Sequence, residues 1–376
     1  MRVINAAVRV SVALFLLGGC GATGQQDSYP ASGDASAEDA ATDGATDASV
    51  DEGVADVGQD DAIAPEDAPA EVATADAAVG TGSLEKLSYS GPEGTRDYLL
   101  YVPAGAGATP LPLVVALHGC QESAAHFAYV SQFNLLADVK KFIVAWPEQT
   151  AVANSIMCWN WFLPAHQRRD TGEAAIIAAI ARQVMASHTV DSKRVHAAGI
   201  SAGGAMALVE GTIFPDLFAS VATVEGCPFR GAPCIGSLST LSADALAQLA
   251  FDAMGTHARA LPVFVVQGDL DLSVAPANGE LIVQQFLGVA DRADDGLSNG
   301  SVSKSPSGTT SGQVPGGHAF DTDVYAAGGI NIVERWLVHG MGHAWPGGPT
   351  AIAYSDPAGP NVTPESYRFF EEHPSP

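Results

Sequence analysis

The sequence predicts an α/β domain over residues 81–376, a mostly parallel central sheet with helices on both faces. Two observations predict it. Short strand-like runs alternate with longer helical patterns along that whole stretch. The run Leu-Val-Val-Ala-Leu at 113–117 is apolar throughout, as a strand buried on both faces should be. Taken in order, strands are expected at 96–102 and 113–117, then a helix over 124–139 and a strand at 142–145. A helix over 173–186 and a strand at 195–200 follow, and a helix starts at Ala202. Strands at 219–224 and 263–267 precede a helix near 279–287. The last strand is expected at 330–338, and residues 365–372 read as a short closing helix. In such a sheet the site lies beyond the carboxyl ends of the strands. Two long segments, 146–170 and 225–262, interrupt the alternation, and loops of that length inside a compact domain are commonly functional.

Charge narrows the choice of partner. The 376 residues carry 17 basic and 42 acidic side chains. Residues 21–80 hold 15 of the acids and no Lys or Arg, so the acidity is concentrated there. A net negative chain without a Lys/Arg cluster does not suit nucleic acid, and it does not suit a polybasic membrane contact. With 47% hydrophobic residues, the chain as a whole is not of disordered composition.

The N-terminus reads as an export signal over residues 1–20. Arg2 and Arg9 precede a short apolar run that ends at Leu17-Gly18-Gly19-Cys20. The run is too short to span a bilayer, which takes about 20 apolar residues. Its end resembles the lipobox of bacterial lipoproteins, which makes Cys20 the expected lipidation site. The protein is then exported and anchored by lipid at the cell envelope, at the outer membrane where the cell has two, or released outside. Residues 21–80, rich in Ala, Asp, Gly, Ser and Thr, read as a disordered linker with a reach of about 40–45 Å.

The sharpest chemical signal is Gly199-Ile200-Ser201-Ala202-Gly203, between an expected strand and an expected helix. That is the context of a G-x-S-x-G nucleophile elbow, a turn tight enough to demand small residues two places either side of the serine. The helix that follows also points its first N–H groups and positive dipole end at the site. A serine hydroxyl needs a base, itself oriented by a carboxylate, and the order expected with this elbow is Ser, acid, His. Gly268-Asp269-Leu270-Asp271 follows the strand at 263–267. Asp271, beyond the turn, is the candidate acid, and Asp269 is expected to organise the turn by side-chain-to-backbone bonds. His343, in a Gly-rich loop after the last strand, is the candidate base. His339 is expected to be structural and His373 to be a solvated tail residue. His339 and His343 have the i, i+4 spacing of a zinc pair, but Gly340 and Gly342 oppose a helix there; no metal and no cofactor are expected. The oxyanion donors are expected to be the N–H of Ala202 and that of Cys120, with Gln121 as the alternative; His118 is expected to brace this loop.

With Cys20 lipidated, four cysteines remain and three pairings are open. Cys227 and Cys234 bracket a short Pro-containing loop and are expected to pair, which joins Cys120 to Cys158. Chain entropy assigns these bridges about 2.5 and about 4 kcal/mol.

Five segments together resemble the polyhydroxybutyrate depolymerase family of esterases, relatives of feruloyl and acetylxylan esterases. They are Leu117-His118-Gly119-Cys120-Gln121-Glu122, Trp146-Pro147-Glu148-Gln149, Cys158-Trp159-Asn160-Trp161-Phe162, the elbow, and Gly342-His343-Ala344-Trp345-Pro346-Gly347-Gly348. The resemblance covers about 84–372. It implies an α/β-hydrolase fold and a triad of Ser201, Asp271 and His343 acting through an acyl-enzyme. The expected substrate is an ester, a hydroxyalkanoate oligomer or an acylated polysaccharide, handled by a monomer that meets the membrane only through its lipid. Trp159, Trp161, Phe162 and Trp345 are candidates for the substrate pocket, with core packing the alternative for the first three. Family members that attack solid polymer usually carry a separate polymer-binding domain, and no residues remain here for one, so small or soluble esters are expected. The rival outside enzymology is a surface-tethered binding protein with the same fold.

Overall fold

The computed structural model describes residues 80–376. The expected export signal, Cys20 and the linker as far as residue 79 lie outside the described residues. The chain opens with β1 (Ser83–Gly91) and β2 (Gly94–Val102), paired antiparallel along their whole length. Then come β3 (Leu111–Leu117), α1 (Ala124–Ser131), α2 (Phe133–Lys140), β4 (Ile143–Pro147) and α3 (Gly172–Ser187). The central strands follow with their helices: β5 (Val190–Ile200), α4 (Ala202–Ile213), β6 (Ser220–Val224), α5 (Ala243–Met254), β7 (Val263–Gly268) and α6 (Ala277–Asp295). The chain closes with β8 (Gly308–Gln313), β9 (Ala319–Ala327), β10 (Ile330–Val338), the two-residue strands β11 (Trp345–Pro346) and β12 (Ser355–Asp356), and α7 (Val362–Glu372).

Ten strands form one sheet in the order β1-β2-β4-β3-β5-β6-β7-β10-β9-β8. The six from β4 to β10 run parallel, and antiparallel pairs extend the sheet at both edges. Strand residues alternate between two apolar layers, as a period of two requires. Val115, Val263 and Val265 face the layer formed with α3–α6; Val114, Phe264 and Val266 face the layer formed with α1, α2 and α7. No helix among the described residues is long and apolar enough to cross a membrane.

The structure departs from the sequence expectation in four places. The helix expected over 124–139 is two helices, because Gln132 takes a left-handed conformation (φ 59°) that ends α1 through its N–H to Ala128 O and starts α2. Both pieces lay apolar residues on the same layer, so the pattern runs unbroken across the break. The edge strands β1, β8 and β9 went unseen since their exposed faces are polar and the apolar signal is thin. The segment 225–262 contains a full helix, α5, whose Leu246, Ala247 and Ala250 are buried. His373 is no solvated tail residue: it is 5% exposed, its Nδ1 donates to Phe369 O at 2.6 Å, its Nε2 meets Asn331 O, and its ring packs on Phe369.

Candidate active site

Ser201 stands between β5 and α4 at φ 56°, ψ −123°, a conformation that side chains rarely adopt and that persists where the surroundings impose it. Two glycines make the turn possible. A Cβ on Gly199 would lie 2.3 Å from the Gly203 carbonyl, and one on Gly203 would lie 2.0 Å from Leu117 O at the end of β3. Any larger residue at either position would push the strand, the helix and the neighbouring strand apart.

Asp271 and His343 come from loops after β7 and β10, two strands that pair in parallel. Their hydrogen bond, His343 Nδ1 to Asp271 Oδ2, is 2.7 Å long, and it leaves the imidazole Nε2 without a partner among the described residues. Asp271 Oδ1 accepts the N–H groups of Ser273 and Val274, at 2.7 and 2.9 Å. Burial pushes the Asp271 carboxyl up. The hydrogen bonds from His343 and Glu225, the charge on His343 and the Val274 N–H outweigh that and hold it at about 2. Asp271 is therefore the residue that organises its own turn. Asp269, expected in that role, reaches across to the next loop, accepting from Gly340 N–H at 2.7 Å and pairing with His339 Nδ1 at 3.0 Å. His339 is bound on its other nitrogen by Asp321, a surface arrangement that ties the end of β10 to its neighbours.

Ser201 and His343 line one cavity of about 430 Å³, together with Gly119, Cys120, Ile156, Trp161, Phe162 and Ile235. The loop after β3 approaches Ser201 closely, since a Cβ on Gly119 would lie 3.3 Å from Ser201 Cβ. Of the three candidate oxyanion donors, the Gln121 N–H is already given to Ile156 O at 2.9 Å, whereas those of Ala202 and Cys120 have no partner among the described residues. His118 underlies this loop. Its Nδ1 bonds Gly119 O at 2.7 Å and its Nε2 accepts the Gln149 N–H at 3.0 Å, a pattern that requires the neutral ring. Burial pushes its pKa down, in the same sense. Glu122 completes the support by accepting the Gly119 N–H at 2.6 Å.

Two disulfides join Cys120 to Cys158 and Cys227 to Cys234. The first staples the loop after β3 to the segment between β4 and α3. That segment is organised from beneath by Glu173, at the start of α3 and 1% exposed. Its carboxylate accepts from Gln149 Nε2 (2.6 Å), Asn160 N (2.6 Å) and Asn160 Nδ2 (2.8 Å), and it lies 3.5 Å from the buried Arg96 guanidinium. Of the four aromatic candidates, Trp161 and Phe162 line the cavity. Trp159 and Trp345 do not; both have zero exposure, Trp159 against His118 and Trp345 against Phe127 and Phe133. Two buried groups behind His343, Glu225 and Gln267, went unseen in the sequence. The available signal was an acid directly after the apolar run 220–224.

Residues 96–300 match the family described as esterase PHB depolymerase. Poly(3-hydroxyalkanoate) depolymerase C of Paucimonas lemoignei is 33% identical over 267 residues, which are 68% of this chain and 60% of that protein. Feruloyl esterase B of Thermothelomyces thermophilus is 31% identical over 149 residues, 39% of this chain and 50% of the relative. The chain thus spans between half and three fifths of these two relatives. Among solved structures, an acetyl xylan esterase from Aspergillus awamori superposes with a TM-score of 0.62 at 20% identity, covering 77% of this chain and 100% of that one. An S-formylglutathione hydrolase from Agrobacterium tumefaciens gives 0.51 at 14% identity, covering 78% and 96%. The shared architecture is the α/β-hydrolase fold.

Proposed function

Since the chain belongs to the esterase PHB depolymerase family, we propose that it is a serine carboxylic ester hydrolase working through Ser201, His343 and Asp271. The observation that carries this reading is the 2.7 Å bond of His343 to a buried carboxylate, with the imidazole and an elbow serine lining one cavity. Ser201 Oγ attacks the ester carbonyl carbon as its proton passes to His343 Nε2. The oxyanion is met by the N–H groups of Ala202 and Cys120. Collapse expels the alcohol, which takes the proton back from His343, and water then releases the acid from the acyl-serine by the same path. Asp271 holds the ring in the productive tautomer and balances its positive charge.

The cavity mouth favours an apolar acyl chain. Ile156, Phe162 and Ile235 line it and are 50%, 42% and 58% exposed, and Leu272, beside lining residue Ser273, is 92% exposed. A hydroxyalkanoate oligomer fits that rim better than a sugar ester, while a feruloyl esterase and a probable acetylxylan esterase among the relatives support an acylated polysaccharide as the second reading. Product analysis on hydroxybutyrate oligomers, feruloylated sugars and acetylated xylan separates the two. The oligomers are expected to give a kcat/KM about tenfold or more above the others, an advantage of the size that one well-filled apolar pocket supplies. A preference for acetylated xylan would transfer the assignment, and failure of a fluorophosphonate to label Ser201 would leave only a binding protein.

We place this activity at the cell envelope, on a lipid carried by Cys20. Cysteines paired in two disulfides support an oxidising compartment. Labelled fatty acid is expected to enter the wild-type protein in its producing cell and not the Cys20→Ser variant; equal labelling of both would refute the anchor.

A further inference from the structure

The carboxyl ends of β5, β6, β7 and β10 lie side by side in the sheet. Ser201 follows the first, Asp271 the third and His343 the fourth. The end of β6 carries Glu225, to which the mechanism above gives no task. We propose that Glu225 is a positioning residue for the ester hydrolysis assigned above: as a neutral acid it donates its proton to Asp271 and holds that carboxylate on His343 Nδ1. The inference rests on the esterase reading.

Its placement is costly and specific. Glu225 has zero exposure and a left-handed backbone (φ 52°), which a non-glycine residue keeps only where neighbours enforce it. Its N–H donates to Val266 O at 2.9 Å, and its Oε1 accepts the Gly268 N–H at 2.8 Å. Gln267 Nε2 contacts Oε2 and lies 3.3 Å from Asp271 Oδ2, bridging the two acids. Ligating atoms of Glu225, Asp271 and His343 lie within 4.8 Å of one another. Carboxyl oxygens of Glu225 and Asp271 thus lie within 4.8 Å of one another with Gln267 Nε2 between them, and two buried acids that close cannot both ionise without cost, so they hold one proton between them.

The surroundings decide which acid keeps the proton. Asp271 faces His343 and two backbone N–H groups. Among the described residues Glu225 faces no Lys or Arg: Asp271 is the charged group acting on it, His343 stands beyond, and α4 carries one titratable residue, Glu210, more than two turns from this end. Burial first, and then Asp271, push the Glu225 carboxyl well above its ordinary range. The pair therefore carries one negative charge, located on the acid that touches the imidazole.

The test uses Glu225→Gln and Glu225→Leu, with kcat, KM, the pH profile, thermal stability and infrared spectra. Glutamine keeps a donor toward Asp271 and an acceptor for Gly268, and Gln267 Oε1, unpartnered in the native site, can turn to receive it. The Gln variant is expected to keep kcat within about threefold, and the wild-type-minus-variant infrared spectrum to show the stretch of a protonated carboxyl. The Leu variant is expected to lose about 10–100-fold in kcat at unchanged KM, the effect of one hydrogen bond to a charged group. Its acid limb should move to higher pH, because an undonated Asp271 holds the imidazolium more strongly. An acid limb displaced downward by more than about one pH unit in Glu225→Gln would mean an ionised Glu225 and overturn the proposal, because removing a full charge has that effect. So would a Leu variant with unchanged kcat. A wild-type protein that turns over no ester but shows the infrared band would sink the esterase reading and uphold the neutral acid.

Discussion

Replacing Ser201 with alanine is expected to lower kcat/KM on a chromogenic short-chain ester by about four to six orders of magnitude. Little else should change. Alanine occupies the same left-handed conformation under the same strain, and the Ser201 hydroxyl makes no hydrogen bond among the described residues whose loss would loosen the turn. Thermal stability should accordingly stay within a few degrees of wild type. Residual turnover above the uncatalysed rate would come from the oxyanion donors and the cavity. A variant with undiminished turnover and an intact fold would remove the serine mechanism altogether.

The largest expected effect on stability belongs to Glu173→Leu. The leucine would remove an acceptor from Gln149 Nε2, Asn160 N and Asn160 Nδ2, of which the first and last keep only Cys158 O and Ala153 O, and leave the buried Arg96 guanidinium without its Glu173 carboxylate. Breaking one half of a buried ion pair costs about 3–5 kcal/mol, because the remaining charge stays desolvated. Urea unfolding should show a loss of that size. Activity should fall as well, since Trp161, Phe162 and the Cys120–Cys158 bridge belong to the segment that Glu173 holds. A destabilisation below about 1 kcal/mol would mean that water replaces the carboxylate more readily than burial allows.

How much of this was legible in the sequence depended on how local the cause is. The elbow could be read because its constraint, small residues at 199 and 203, is written within five positions. The central strands could be read because parallel strands buried on both faces are apolar throughout. The edge strands β8 and β9 could not, since pairing rather than apolar content makes them strands. The break at Gln132 was hidden for a related reason: a side chain other than glycine takes the left-handed turn. Trp159 and Trp161 are two residues apart in one motif and both are buried in the core, yet only Trp161 also lines the cavity, a difference fixed by the fold of a long loop. His373 looked solvent-bound by its place near the terminus, whereas β10 supplies a backbone acceptor for it. Glu225 and Asp271 are 46 positions apart and meet only because β6 and β7 are neighbours.

That Ser201, Asp271 and His343, the proposed nucleophile, acid and base, follow β5, β7 and β10 of one parallel run has an evolutionary consequence. Their spacing is inherited from backbone ladders, about 4.8 Å per strand, and owes little to the identity of the residues packed above and below. The walls of the cavity come instead from the excursions after β3, β4 and β6, which can lengthen, shorten or exchange side chains without disturbing those ladders. Under the proposed function, selection can therefore retune which ester enters while these three positions stay fixed, and descendants of one ancestor can diverge in substrate without reinventing their chemistry.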